Sequence, residues 1–236
     1  MILSRIKSVL EYFVAIGNNV ECACCGHKAR RFFSAGVVNK RPFARCAFCG
    51  SLERHRLIAL MLKNFPFIDK AKILCIAPEQ PLTQFLKKSF TAQITTLDLN
   101  RSDVDVQGDV CALPFSNATF DVVIANHVLE HVADDQLAMR EIKRVLKPQG
   151  QTILQTPVHW DLEKTEEDQS ATPAECLRRF GQDDHVRLYG RDFVQRLQNI
   201  DWDVELIPVF KRFQLNEIKK YGLEVDEVFF RITAKN

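Results

Sequence analysis

Glycine is scarce in this chain, with 9 in 236 residues where average usage gives about 16. Methionine (3), tryptophan (2) and tyrosine (3) are sparse as well. No apolar run of about 18 residues occurs, which excludes a membrane-spanning helix. With 46% hydrophobic and 26% charged residues, disordered, collagen-like and coiled-coil classes are excluded too. The opening segment, MILSRIKSVLEYFVAIG, lacks a signal-peptide core: Arg5, Lys7 and Glu11 interrupt it, and no small-residue cleavage site follows. The expected location is therefore cytoplasmic and reducing, where cysteines serve as thiols or metal ligands rather than disulfides.

What is present is unevenly placed. Of the 8 cysteines, five fall at positions 22–49. The net charge of +2 divides into +8 over residues 1–70 and −6 over residues 71–236, so a small basic part precedes a larger acidic one. Apolar Ile2, Leu3, Ile6, Val9, Leu10, Phe13 and Val14 recur at helical spacing, predicting an amphipathic helix within residues 1–19. Packing on its own protein is the favoured reading of that helix, with peripheral membrane contact left open. Residues 20–66 form the second expected domain, ending in a helix capped by Ser51 and closed by Pro66. Residues 67–236 form the third.

Cys22, Cys25, Cys46 and Cys49 stand as C-x2-C-x20-C-x2-C, with a glycine after each pair. Two-residue spacing lets both thiolates of a tight turn face one tetrahedral ion, and the glycine permits the positive φ such a turn needs. This pattern predicts a zinc ribbon holding structural Zn2+, with Cys24 as a spare that could exchange with Cys22. Lys28, Arg30, Arg31, Lys40, Arg41, Arg45, Arg54 and Arg56 surround it, interleaved with Phe32, Phe33, Phe43 and Phe48. These residues read either as an RNA platform or as a small core with solvated or charge-balancing cations.

From residue 70, short β-like runs alternate with helical stretches, as in a mostly parallel α/β sheet. Strands are expected at 72–77, 93–98, 104–106, 120–126, 151–157, 202–209 and 227–234, and helices at 80–89, 133–147 and 190–199. The stretch at about 158–190 interrupts this alternation and reads as a substrate lid. Ligands of such sheets bind beyond the carboxyl ends of the strands. Ala77, Pro78 and Glu79 lie there after the first strand, Asp98 and Leu99 after the second, Asp109 and Val110 after the third, and Asn126 and His127 after the fourth.

The run 108–157 (D-x-x-x-L-P-F, F-D-V-V, H-V-L-E-H-V, R-V-L-K-P-x-G) resembles the class I S-adenosylmethionine-dependent methyltransferases. The resemblance covers about residues 70–235 and implies an α/β, Rossmann-like seven-stranded sheet with its last strand antiparallel. It implies S-adenosyl-L-methionine as cofactor, Asp98 as ribose ligand, Asp109 as adenine-side acid, and Asn126 and His127 beside the reacting methyl. The family's first loop reads acid-x-Gly-x-Gly. Here Cys75, Ala77 and Glu79 occupy those positions, which puts the usual cofactor geometry in question and offers Glu79 as a substitute carboxylate. CxxCG, CGSLERHR, Ala-Pro-Glu and FGQDDHVRLYG together look like a group of uncharacterised bacterial zinc-ribbon methyltransferases.

In the lid, His185 and Tyr189 are the candidate catalytic groups beside His127, with Arg187 as an anion clamp. His127 and His131 have the spacing of a helical metal pair but no HExxH pattern, and the resemblance explains the segment without metal. The expected activity is methyl transfer to an unidentified acceptor, small-molecule or saccharide-like. The alternatives are an RNA methyltransferase that uses the ribbon, and a non-catalytic binding protein with a degenerate cofactor loop.

Overall fold

Residues 11–36, 40–65 and 68–235 are described by the computed structural model. Residues 11–15 are helical. The rest of the expected first helix, over 1–10, and the expected boundary at Pro66 lie outside the described residues. Two short antiparallel hairpins follow, β1 (Val20–Glu21) with β2 (Lys28–Ala29) and β3 (Phe33–Ala35) with β4 (Arg41–Arg45). They lead into helix α1 (Glu53–Leu62). Ser51 does not cap α1: the N-cap is Leu52, without a side-chain cap. The Ser51 hydroxyl lies 3.0 Å from Cys22 Sγ instead, and the Leu52 N–H donates to His55 Nδ1 (2.9 Å).

The chain continues through β5 (Lys72–Ile76), α2 (Gln80–Ser89), β6 (Gln93–Asp98), β7 (Val106–Gln107), β8 (Phe120–Ala125), α3 (Asp135–Val145) and β9 (Leu146–Ile153). After these come β10 (Glu166–Glu167), α4 (Pro173–Phe180), β11 (Arg187–Leu188), α5 (Phe193–Gln198), β12 (Trp202–Pro208), α6 (Val209–Arg212), α7 (Leu215–Tyr221) and β13 (Val228–Ala234). Seven strands form one sheet in the order β12-β13-β9-β8-β5-β6-β7. β5, β6, β7, β8 and β9 pair in parallel, and β13 pairs with β9 antiparallel. The α/β sheet with one antiparallel strand agrees with the sequence expectation. The lid is more ordered than its composition suggests: β10 pairs with β11, and α4 carries a reciprocal Thr172–Glu175 cap with proline in its first turn.

The chain divides into two compact units, neither continuous in sequence. The first takes the described residues up to Asp69, together with Glu79–Phe90 and Ile207–Phe229. Its centre is Arg56, a fully buried guanidinium lying 3.8 Å from the Phe32 ring centroid. Four carbonyls satisfy this charge, those of Ala44, Ser51, Tyr221 and Gly222. A buried cation is tolerated only with such complete pairing.

The second unit takes Lys70–Pro78, Thr91–Leu206 and the residues from Phe230. Ile73 and Leu74 of β5, Val123 of β8 and Ile153 of β9 are wholly buried, each contributing about 1.5–3 kcal/mol. α3 buries Ala138, Met139, Ile142 and Val145, the i, i+4, i+7 face of a helix. Its N-cap Asp134 accepts from the Leu137 N–H at 2.8 Å. No helix among the described residues is long and apolar enough to cross a membrane.

Candidate functional site

Register decides which side chains meet at the sheet's carboxyl edge. Ile76 of β5 is level with Leu97 of β6 and with Ala125 of β8, so Ala77, Asp98 and Asn126 are the first residues past that level. β6 and β8 flank β5 on opposite sides, which makes this the point of reversed strand order where ligands bind. A cavity of about 550 Å³ opens there, and its walls include Ala77, Asp98, Leu99, Asp109, Val110 and His127. Asn126 is buried and does not line it. Pro78 offers its carbonyl to Arg101 Nη1 (2.7 Å).

The two carboxylates are built alike. Asp98 Oδ1 accepts from the N–H groups of Asn100 and Arg101 (2.9 and 3.0 Å). Asp109 Oδ1 accepts from the Cys111 N–H (2.8 Å). One oxygen of each thus fixes a local turn, and each carboxylate keeps a second oxygen. Ala77 has φ +47°, and its N–H donates to the Leu97 carbonyl (2.8 Å). The glycine expected by resemblance is absent, yet Ala77 holds the left-handed conformation glycine would adopt, at a cost of about 1–2 kcal/mol.

Glu79 belongs to the first unit. Arg54 Nη2 stands 2.5 Å from its Oε1, and His55 Nε2 stands 2.7 Å from the same oxygen. Burial pushes the Glu79 carboxyl upward, but the His55 contact and the Arg54 charge outweigh it and hold the group at about 2.

His127 has φ +54°, and its N–H donates to the Gln155 carbonyl (2.7 Å). Its Nδ1 stands 3.0 Å from Oε1 of Glu130, a side chain that is 2% exposed. Glu130 Oε2 accepts from the Thr156 hydroxyl (2.9 Å). Residues 129–131 form a 3-10 turn, so His127 and His131 do not share one α-helical face.

Of the lid candidates, His185 is buried beside the His131 ring, with centroids 4.6 Å apart. Tyr189 is 1% exposed, and its hydroxyl donates to Asp135 Oδ2 (2.8 Å). Burial and Asp135 push its pKa well up. Arg187, buried to the same degree, donates to the carbonyls of Leu129, Val132 and Ala133. Neither Tyr189 nor Arg187 lines the cavity. Their hydrogen bonds go to Asp135 and to carbonyls of the turn that carries Glu130 and His131. Sequence reasoning gave no role to Glu130 or Asp184. Their signal was available in HVLEH and GQDDH, where acids adjoin histidines.

In the first unit, the ligating sulfurs of Cys22, Cys25, Cys46 and Cys49 all lie within 4.8 Å of one another. Two of the separations are 3.6 Å (Cys22–Cys49) and 3.9 Å (Cys25–Cys46). Thiolates around tetrahedral zinc sit about 3.8 Å apart, whereas a disulfide needs about 2 Å. The two turns repeat each other: Gly26 N–H donates to Cys22 O (2.8 Å) and Gly50 N–H to Cys46 O (3.0 Å), with φ of +76° and +74°. Cys24 is buried, and its neighbour Cys22, together with burial, pushes its thiol pKa up. The donor set therefore fits zinc.

The eight surrounding cations divide evenly. Arg56 is buried, while Arg41, Arg45 and Arg54 pair with Glu53, Glu11 and Glu79. Lys28, Arg30, Arg31 and Lys40 are exposed.

Residues 61–154 match the family described as methyltransferase domain. A malonyl-[acyl-carrier protein] O-methyltransferase of Erwinia pyrifoliae is 35% identical over 74 residues, 27% of this chain and 28% of that protein. The chain spans about a quarter of the length of the curated relatives it matches. Among solved structures, a chain of the complex between the Haloferax volcanii Trm112 methyltransferase activator and a methyltransferase superposes with TM-score 0.55 at 15% identity. That match covers 78% of this chain and 91% of that one. Haemonchus contortus phosphoethanolamine N-methyltransferase 2, solved with S-adenosyl-L-methionine, gives 0.50 at 16%, covering 81% and 54%. Residues 61–154 are thus similar to a methyltransferase domain, and the seven-stranded sheet has the fold of these solved methyltransferases.

Proposed function

We propose that the chain binds S-adenosyl-L-methionine in the cavity at the carboxyl ends of β5, β6 and β8 and transfers its methyl group to an acceptor. Bound there, the cofactor supplies a methyl already activated on a sulfonium, so catalysis depends chiefly on alignment. The observation that carries this reading is the convergence of Asp98, Asp109 and the left-handed Ala77 on one cavity wall. In this reading the second oxygen of Asp98 accepts from ribose hydroxyls and that of Asp109 from an amino group. His127 lines the same cavity, and Glu130 holds its Nδ1 side, leaving Nε2 to take a proton from an oxygen or nitrogen acceptor. Glu79 is held by Arg54 and His55 at the start of α2.

The acceptor class we favour is a small molecule or saccharide, because four of the ribbon's eight cations are buried or paired with acids. Cys22, Cys25, Cys46 and Cys49 hold one structural Zn2+, and four thiolates leave it no open position.

Calorimetric titration with S-adenosylmethionine and S-adenosylhomocysteine tests this reading. Binding that weakens in Asp98→Asn by about tenfold to a hundredfold, the worth of a hydrogen bond to a charged group, supports it. If neither compound binds the folded wild-type protein, the binding-protein alternative takes its place.

A further inference from the structure

A second set of metal-ligating side chains, separate from the cysteines, forms where His185 of the lid meets Glu130 and the cavity-lining His131. One ligating atom each from Glu130, His131 and His185 lies within 4.8 Å of the others. The backbone builds this meeting: the 3-10 turn sets Glu130 beside His131, and the Val186 N–H donates to the Glu130 carbonyl (2.9 Å), drawing His185 onto the turn. Arg187, wholly buried, fastens the carbonyls of Leu129, Val132 and Ala133 around it.

The unused polar atoms point the same way. His185 is 5% exposed. Its Nδ1–H donates to the Phe180 carbonyl (2.9 Å), and its buried Nε2 has no hydrogen-bond partner among the described residues. Glu130 Oε1 lies 3.0 Å from His127 Nδ1, and a carboxylate oxygen keeps a further lone pair for an ion. His131 has Nδ1 3.2 Å from Asp184 Oδ2. One histidine held by a backbone carbonyl and another by a carboxylate are the outer-shell arrangement that orients imidazoles toward a metal. His131 and Asp184 also line the cavity.

We propose that Glu130, His131 and His185 bind a divalent transition ion of the zinc class at the cavity wall. Two imidazoles and a carboxylate suit such an ion and leave coordination open, unlike the closed cysteine site. His131, 32% exposed at its side chain, is the donor with room to close on the ion. The open position would take an oxygen donor entering the cavity and favour its deprotonated form. That consequence for a methyl acceptor rests on the methyl-transfer reading; the ion does not.

The test is zinc content of the full chain after equilibrium dialysis against micromolar free Zn2+. We expect about two ions per chain in the wild type and about one in His131→Ala and in His185→Gln. Cobalt substitution gives a second readout. The cysteine site contributes sulfur-to-metal charge transfer in every variant, while the weaker visible bands of the second ion vanish with His131. Because His185 is buried, its variant is judged only if folded, and the part-exposed His131 decides otherwise. One ion in the wild type, or a second ion that survives His131→Ala, overturns the proposal. Neither result depends on cofactor binding, which the calorimetry reads separately.

Discussion

His127 Nδ1 stands 3.0 Å from Glu130 Oε1, so an imidazole at the cavity wall rests against a carboxylate that is 2% exposed. A carboxylate in that place fixes which ring nitrogen carries the proton. In 15N-edited spectra of the wild-type protein, His127 is expected as the Nδ1–H tautomer, with Nε2 unprotonated and available. Glu130→Gln is expected to mix the tautomers, and a wild type that already shows Nε2–H would remove Glu130 from this role.

Ala77→Gly is expected to stabilise the fold by about 1 kcal/mol, because Ala77 occupies a φ of +47° that glycine adopts freely. Denaturant unfolding measures the gain, and cofactor affinity should hold or rise. Ala77→Val, with a branched side chain at the same φ, should lower both. A loss of stability in the glycine variant would mean that the alanine methyl is doing something the backbone is not.

Metal content separates the five clustered cysteines. Cys25→Ser or Cys46→Ser should release the ribbon's zinc and unfold it, since such sites supply folding energy outright. Cys24→Ser should keep its metal and most of its stability, because Cys22 already completes the set. Zinc loss in Cys24→Ser would place Cys24 in the coordination sphere.

Acid sensitivity follows from Glu79. Its folded pKa is about 2, against an ordinary value of 4.5. A depressed carboxyl contributes stability that is fully present above its unfolded pKa and lost as pH falls through its folded value. The window therefore runs from about pH 4.5 down to about 2, with on the order of 3 kcal/mol at most at stake. Glu79→Gln should remove that slope from the pH dependence of unfolding. If the slope is unchanged, Arg54 and His55 do not hold Glu79 ionised in solution.

The sheet was legible because its signals are local. KILCI, QITTLD and FDVVIA fall on β5, β6 and β8 within a residue or so, each an apolar run bounded by turn residues. The cysteine spacing was legible for the same reason. What could not be read was partnership across long separations. Arg56 and Gly222, 166 residues apart, meet in a part-buried hydrogen bond. Tyr189 and Arg187 read as chemistry because tyrosine and arginine often do it, and their partners in the structure, Asp135, Glu167 and backbone carbonyls, could not be read from the sequence. Glycine scarcity pointed to the right loop but not to its conformation, since φ at Ala77 is imposed by the pairing of its N–H with Leu97.

Arg56 also sets an order of events during synthesis. The carbonyls of Ala44 and Ser51 precede Arg56 in the chain, while those of Tyr221 and Gly222 follow it by 165 and 166 residues. An arginine that must be buried therefore waits, half-satisfied, while the intervening residues are translated. Truncating the protein before residue 221 should leave the ribbon's helix with a desolvated charge it cannot neutralise. The ribbon is thus unsuited to transplantation as a free-standing module, however self-contained its cysteine pattern looks.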